Sequence, residues 1–179
     1  KLGISKVNPF TRVVKKGWLC VNSPNDLTGD ITHLDSAVYL SGTGTNTITG
    51  DISNLTRLYF LGLGGNTTAY GSITNLVHLE ALMNKANYTK PSTVINKPAL
   101  TTVAPGFNFT ETEVNQILAD FWANRDAPKP ENSRTDRLID LRNALSGPTG
   151  QGIIDKEALQ GYRSPNNDAG KPLWKVTTK

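Results

Sequence analysis

The residue types able to do chemistry in this 179-residue chain are few, and their spacing argues against catalysis. His33 and His78 fall at different places in a 21-residue sequence period, so stacking of the repeated units would not join them as a base pair or a metal site. No H-E-x-x-H, C-x-x-C or G-x-S-x-G occurs. Gly62, Gly64 and Gly65, and again Gly147, Gly150 and Gly152, have the composition of an anion-binding loop, whose free N–H groups can meet a phosphate. A glycine cluster alone is a weak signal, and turns in the period account for both. Asp30 and Asp51 would lie one above the other, but the next step of 21 is Ser72, and calcium takes about six to eight oxygens. These acids read as exposed turn residues. The expectation is a protein with no catalytic residue, no metal and no cofactor.

The spacing does point to a surface. If Leu58, Leu61 and Leu63 face inward from a strand, alternation sends Phe60 and Gly62 outward. Steps of 21 place Trp18, Tyr39, Ala81 and Thr102 on the row of Phe60, and Cys20, Ser41, Met83 and Ala104 on the row of Gly62. A ladder of Trp18, Tyr39 and Phe60 would set its rings at strand spacings of about 4.8 Å, with Tyr59 and Met83 widening the patch. Asp140, Arg142 and Lys175 make the C-terminal end polar. Two readings of the aromatic row stand side by side. Stacked rings stabilise neighbouring strands by about 0.2 to 1 kcal/mol per pair. A contiguous exposed aromatic patch also marks a contact for protein or glycan.

The elements that must carry this surface follow from the period. Gly29, Gly50 and Gly71 are in register, as are Ile31, Ile52, Ile73 and Val94, then Leu34, Leu55 and Leu76, then Leu40, Leu61, Leu82 and Val103, then Asn66, Asn87 and Asn108. Units this short cannot bury an apolar face alone and must stack on one another. Leu58, Leu61, Leu63 and Asn66 spell L-x-x-L-x-L-x-x-N; Leu79, Leu82, Asn84 and Asn87 repeat it with one polar replacement, and Leu100, Val103, Pro105 and Asn108 more loosely. In this the chain resembles the leucine-rich repeat family. Leu27 to Ile31 and Ile48 to Ile52 are similar to the L-T-G-x-I element on the far side of some such repeats. The first unit departs from the pattern, with Asn46 one position late. The resemblance implies that Asn66, Asn87 and Asn108 form an inward structural ladder, each turning the chain and satisfying backbone groups inside the bend. Asn54, Asn66, Asn87 and Asn108 each open an N-x-T triplet; with three of them inward, Asn54 alone is left as a glycan acceptor.

Beyond residue 109 the unit lengthens. Thr110 to Glu113 has the form of a capping box, and Val114, Ile117, Leu118, Phe121 and Trp122 follow at helical spacing. Leu138, Ile139 and Leu141 read as a strand, Ile153 to Gln160 as a short helix, and Leu173 to Thr177 as a last strand. This half resembles variant repeat units of Bacteroidota surface proteins and of phage structural proteins.

Composition sets the outer bounds. The net charge of +4 is spread too evenly to argue for nucleic acid, although Lys1, Lys6, Arg12, Lys15 and Lys16 make the first stretch basic. One cysteine, Cys20, excludes an internal disulfide framework. No apolar run approaches the roughly 20 residues that a membrane span needs, so membrane insertion is not expected.

The expected fold is an α/β leucine-rich-repeat solenoid with short parallel strands on one face. Residues 1–17 form an N-terminal cap or the end of a preceding segment, and 18–179 one solenoid, with 21-residue repeats over 18–109 and longer helix-strand repeats over 110–179. The expected function is non-catalytic binding or adhesion, extracellular, at a cell surface or in a virion. Its partner is a protein or surface glycan, met through Trp18, Tyr39, Tyr59, Phe60 and Met83. The alternative is a structural subunit of a virion or filament, making contacts between copies by self-assembly.

Overall fold

The computed structural model describes residues 18–21, 28–42, 47–64, 67–83, 87–89, 91, 93–103, 106–127, 137–162 and 174–179. The expected cap at 1–17, the displaced Asn46, and Gly65, Asn66 and Ala104 lie outside them. The chain is α/β, with parallel strands in sheets and, among the described residues, two helices. In chain order these are β1 (Trp18–Val21), β2 (Thr28–Asp30), β3 (Tyr39–Gly42), β4 (Thr47–Thr49), β5 (Phe60–Leu63), β6 (Tyr70–Ser72), β7 (Ala81–Met83), β8 (Asn87–Thr89), β9 (Thr102–Val103), α1 (Glu111–Ala123), β10 (Arg137–Leu141), α2 (Gln151–Gly161) and β11 (Trp174–Thr178). They fall into two compact units, one reaching Leu79 and including β8, the other holding β7 and everything described beyond residue 90.

In the first unit β1, β3 and β5 pair in parallel with Trp18, Tyr39 and Phe60 opposite one another, so the sequence period of 21 is also the strand register. Between strands the chain advances by successive tight turns. Leu34 N–H donates to Ile31 O, Ala37 N–H to Leu34 O, Leu55 N–H to Ile52 O and Leu58 N–H to Leu55 O. Side chains three apart eclipse under such bonding, which is why Ile31, Leu34, Ala37 and Leu40, and then Ile52, Leu55, Leu58 and Leu61, all point inward and are at most 2% exposed. Each buried Leu or Ile contributes about 1.5 to 3 kcal/mol.

The other side of this unit carries the pairs β2–β4 and β6–β8 and a polar ladder. Asp30 Oδ1 accepts from Thr32 N (2.7 Å), and Thr32 Oγ1 accepts from Asp51 N (2.9 Å). Asp51 Oδ1 accepts from Ser53 N (2.8 Å), Ser53 Oγ from Ser72 N (2.9 Å), and Ser72 Oγ from Thr74 N (3.1 Å). Backbone donors that a short strand leaves over are thus satisfied from one unit to the next. Gly50 and Gly71, both at φ +116°, bring the backbone directly against this ladder.

The carboxylates of the ladder are held in their charged form. Hydrogen bonds to the Thr32 backbone and side chain lower the Asp30 pKa, and the Ser53 side chain and backbone do the same for Asp51. A depressed folded pKa contributes stability that is present above the unfolded value near 3.9 and lost as pH falls through the folded value. Asp30→Asn and Asp51→Asn keep an acceptor oxygen but cannot titrate. Each variant is expected to lose less stability than wild type below about pH 4, as read from urea midpoints across that range.

In the second unit β7, β9, β10 and β11 pair in parallel, Arg137 opposite Trp174 and Leu138 opposite Thr102. The tight turns continue, Lys97 N–H donating to Val94 O and Leu100 N–H to Lys97 O, so Lys97 takes the place held earlier by Leu34, Leu55 and Leu76. Its side chain is 1% exposed, its amine donates to Asn96 Oδ1 at 3.0 Å, and burial pulls its pKa down.

Helix α1 starts at the expected capping box, Thr110 N donating to Glu113 Oε2 (2.7 Å) and Glu113 N to Thr110 Oγ1 (3.4 Å). Its inner face differs from the apolar spacing at two places: Asp120 is buried and Trp122 half-exposed. Asp120 is drawn in because Oδ2 accepts from Thr93 Oγ1 (2.5 Å) and Val94 N (2.6 Å), and Oδ1 from Gln116 Nε2 (2.7 Å). Helix α2 turns Gly152, Asp155 and Leu159 inward and leaves Ile153 and Ile154 exposed. A Cβ at Gly152 would collide with the Asn115 side chain, so close approach to α1 fixes which face is buried.

Candidate functional site

Three of the five expected surface residues come together in the first unit. Tyr39 on β3 and Phe60 on β5 are register partners, and inward packing of Leu40 and Leu61 beside them sends both rings to the opposite side of the sheet. The rings stack at 4.3 Å and 10°. Tyr59, just before β5, meets Tyr39 edge-on at 5.9 Å and 60°. Its position is set by backbone, since Tyr59 N and Phe60 N both donate to Val38 O. All three side chains are half-buried. Trp18 lies opposite Tyr39 in backbone register, and its side chain is outside the described residues. Met83 is half-buried on β7, in the second unit.

The outward rows do not extend as alternation suggested. Ala81 and Thr102 are buried, at 0% and 4% exposure, and Gly62 is buried as well. Strand phase gives the direction of a side chain, but a methyl or a hydroxyethyl group is too short to rise above its neighbours. Asp140 likewise leaves the surface at 6% exposure, its carboxylate gripped by Arg142 through Nε–Oδ1 (2.9 Å) and Nη2–Oδ2 (2.6 Å). Hydrogen bonding to Arg142 holds its pKa below the usual carboxylate value.

The asparagine ladder also requires correction. Asn108 is exposed, because Phe107 and Phe109 on either side of it take the buried places and alternation turns 108 outward. Asn87 opens strand β8 opposite Tyr70, so its backbone continues a sheet and does not turn away from one. Asn54 and Asn108 are thus both exposed openings of N-x-T triplets, and the ground for setting Asn108 aside is removed. His33 and His78 are exposed turn residues, and among the described residues no three His, Cys, Asp or Glu side chains converge. No helix among those residues is long and apolar enough to cross a membrane.

A second cluster, which spacing alone did not assemble, lies in the second unit where α1 ends. The Arg125 guanidinium sits 4.2 Å over Trp122 and 5.7 Å from the Tyr162 ring, and the two rings meet at 86°. Arg125 Nη1 donates to Trp122 O (2.8 Å), and its Nε is 3.5 Å from Asp126 Oδ2. The Tyr162 hydroxyl donates to Asp126 Oδ1, and this bond raises the tyrosine pKa. Arg137 Nη1 donates to Arg125 O (2.8 Å) while its guanidinium lies 5.1 Å over Trp174, which Phe121 meets edge-on at 5.2 Å. Trp174 is 4% exposed and its Nε1, buried, has no hydrogen-bond partner among the described residues. An unsatisfied buried donor costs about 1 to 3 kcal/mol. Two signals for this cluster were present in the sequence. Trp122 and Arg125 are three apart, a helix-neighbour spacing, and the 37 residues from Arg137 to Trp174 are the register of the longer unit.

No family model, no curated protein and no solved structure matches the chain.

Proposed function

We propose that this chain is a leucine-rich-repeat solenoid that works by contact, binding a protein partner through the sheet face of its first unit at a cell surface or in a virion. The 21-residue strand register and the tight turns that carry Ile31, Leu34, Ala37 and Leu40 inward support the architecture. The observation that carries the function is the half-exposed Tyr39–Phe60 stack with Tyr59 against it. Tyr-rich clusters on a rigid support bind with little ordering cost. Protein is favoured over glycan because the stack takes up one face of each ring, which leaves less open ring face on which a sugar could lie.

A photo-cross-linking side chain at Tyr59 tests this in the native setting, with the same probe at the exposed turn residue His33 as reference. Capture of one defined protein from position 59 and not from 33 is the expected result. Equal labelling from both positions overturns the assignment of the face.

A further inference from the structure

At the Arg137–Trp174 corner of the second unit, one buried donor has no acceptor among the described residues. Among the described residues, Trp174 Nε1 is the buried side-chain nitrogen left without a hydrogen-bond partner. An indole N–H can only donate, so the missing group is an acceptor. The described side chains that meet its ring supply none. Phe121 is apolar, and Arg137 brings further donors, of which Nη1 is used on Arg125 O while Nε and Nη2 meet no acceptor among the described residues. The cluster's carboxylate, Asp126, is already engaged, Oδ1 by the Tyr162 hydroxyl and Oδ2 by Arg125. Among the described residues, two guanidiniums thus lie near one carboxylate, an excess of positive charge.

The geometry points to an oxyanion site at this corner: a carboxylate or phosphoryl group held by the free edge of the Arg137 guanidinium and by the Trp174 indole N–H. The planar fork of Arg matches two oxygens of such a group at once. The indole adds a neutral donor in surroundings where hydrogen bonds are strong because water is largely excluded. Arg125, fixed over Trp122, contributes a second positive charge without having to move. Burial lowers the Arg137 pKa, against the pull of Tyr162 and Asp126. This site is independent of the sheet face of the first unit, and neither claim depends on the other.

The test is an NMR titration of the ¹⁵N-labelled chain. The Trp174 Nε1–H resonance, assigned with Trp174→Phe, is followed against inorganic phosphate and separately against acetate, with ionic strength held constant by chloride. Should Trp174→Phe fail to fold, Trp18→Phe and Trp122→Phe assign the resonance by elimination. A saturable shift with at least one anion is expected, weakened about tenfold or more in Arg137→Gln and unchanged in Arg57→Gln, an exposed arginine of the first unit. A response to phosphate alone assigns a phosphoryl ligand, and a response to acetate assigns a carboxylate such as an acidic side chain. No saturable shift with either anion, or equal affinity in Arg137→Gln, overturns the proposal.

Discussion

Gly50→Ala is expected to destabilise the protein by more than about 2 kcal/mol, and Gly71→Ala to do the same. Two effects act together. At φ +116° a residue with a Cβ is strained wherever it is placed. At Gly50 the added carbon would also lie 2.7 Å from Asp30 Oδ1 and 2.8 Å from both Thr32 N and Thr32 Oγ1. At Gly71 it would meet Asp51 Oδ1 and Ser53 Oγ. Relief would require breaking the polar ladder that satisfies the backbone N–H groups of Thr32, Asp51, Ser53 and Ser72. Gly161→Ala is the control, since that glycine ends α2 and an added methyl carbon would have nothing within 4 Å of it. Urea unfolding followed by circular dichroism checks the three variants together. A Gly50→Ala midpoint no lower than that of Gly161→Ala would show that the ladder does not hold the first unit together.

Lys97→Leu is expected to act in the opposite direction, stabilising by about 1 to 3 kcal/mol. The lysine occupies the inward place that Leu34, Leu55 and Leu76 hold in the preceding turns, and its side chain is 1% exposed. Burial there disfavours the ammonium form, so its pKa is lowered in the folded state. The sign follows directly. Below the folded pKa the buried charge costs its full amount, and the cost fades as pH rises toward the unfolded lysine value near 10.4. Wild type should therefore gain stability from this group through the alkaline range, whereas Lys97→Leu should not. Asn96 is exposed, so its amide, which accepts from the amine, returns to water when the lysine is replaced. Denaturation at pH 7 and pH 10 reads both effects. A Leu variant less stable than wild type at pH 7 would mean that the polar contacts of Lys97 outweigh its desolvation.

How far these features were legible in the sequence depends on side-chain size and on partners. The inward places of Ile31, Leu34, Leu40, Ile52, Leu55 and Leu61 follow from a period that is also the strand register, and large apolar residues there have only one direction to go. The Tyr39–Phe60 stack was legible for the same reason, both rings being too large to sink into the sheet. Ala81 and Thr102 were not, because alternation is silent on depth when the side chain is short. Asp120 and Asp155 escape a reading that puts polar residues outside, because each enters the interior with a hydrogen-bond partner already at hand: Val94 N and Gln116 for Asp120, Gln151 for Asp155. Asn108 departs from its expected inward place because the two flanking phenylalanines outcompete it for burial. The cluster of Trp122, Arg125, Arg137, Tyr162 and Trp174 stayed hidden because its members come from four stretches, joined only when the longer register of β10 and β11 is in place.

The claim most open to test is that the aromatic sheet face of the first unit is where a partner binds. With the protein captured through position 59 in hand, its affinity for wild type and for the Tyr39→Ser, Phe60→Ser double variant decides the matter, provided that the circular dichroism of the two proteins coincides. A loss of about a hundredfold or more is expected for the double variant; an unchanged dissociation constant would contradict binding through this face.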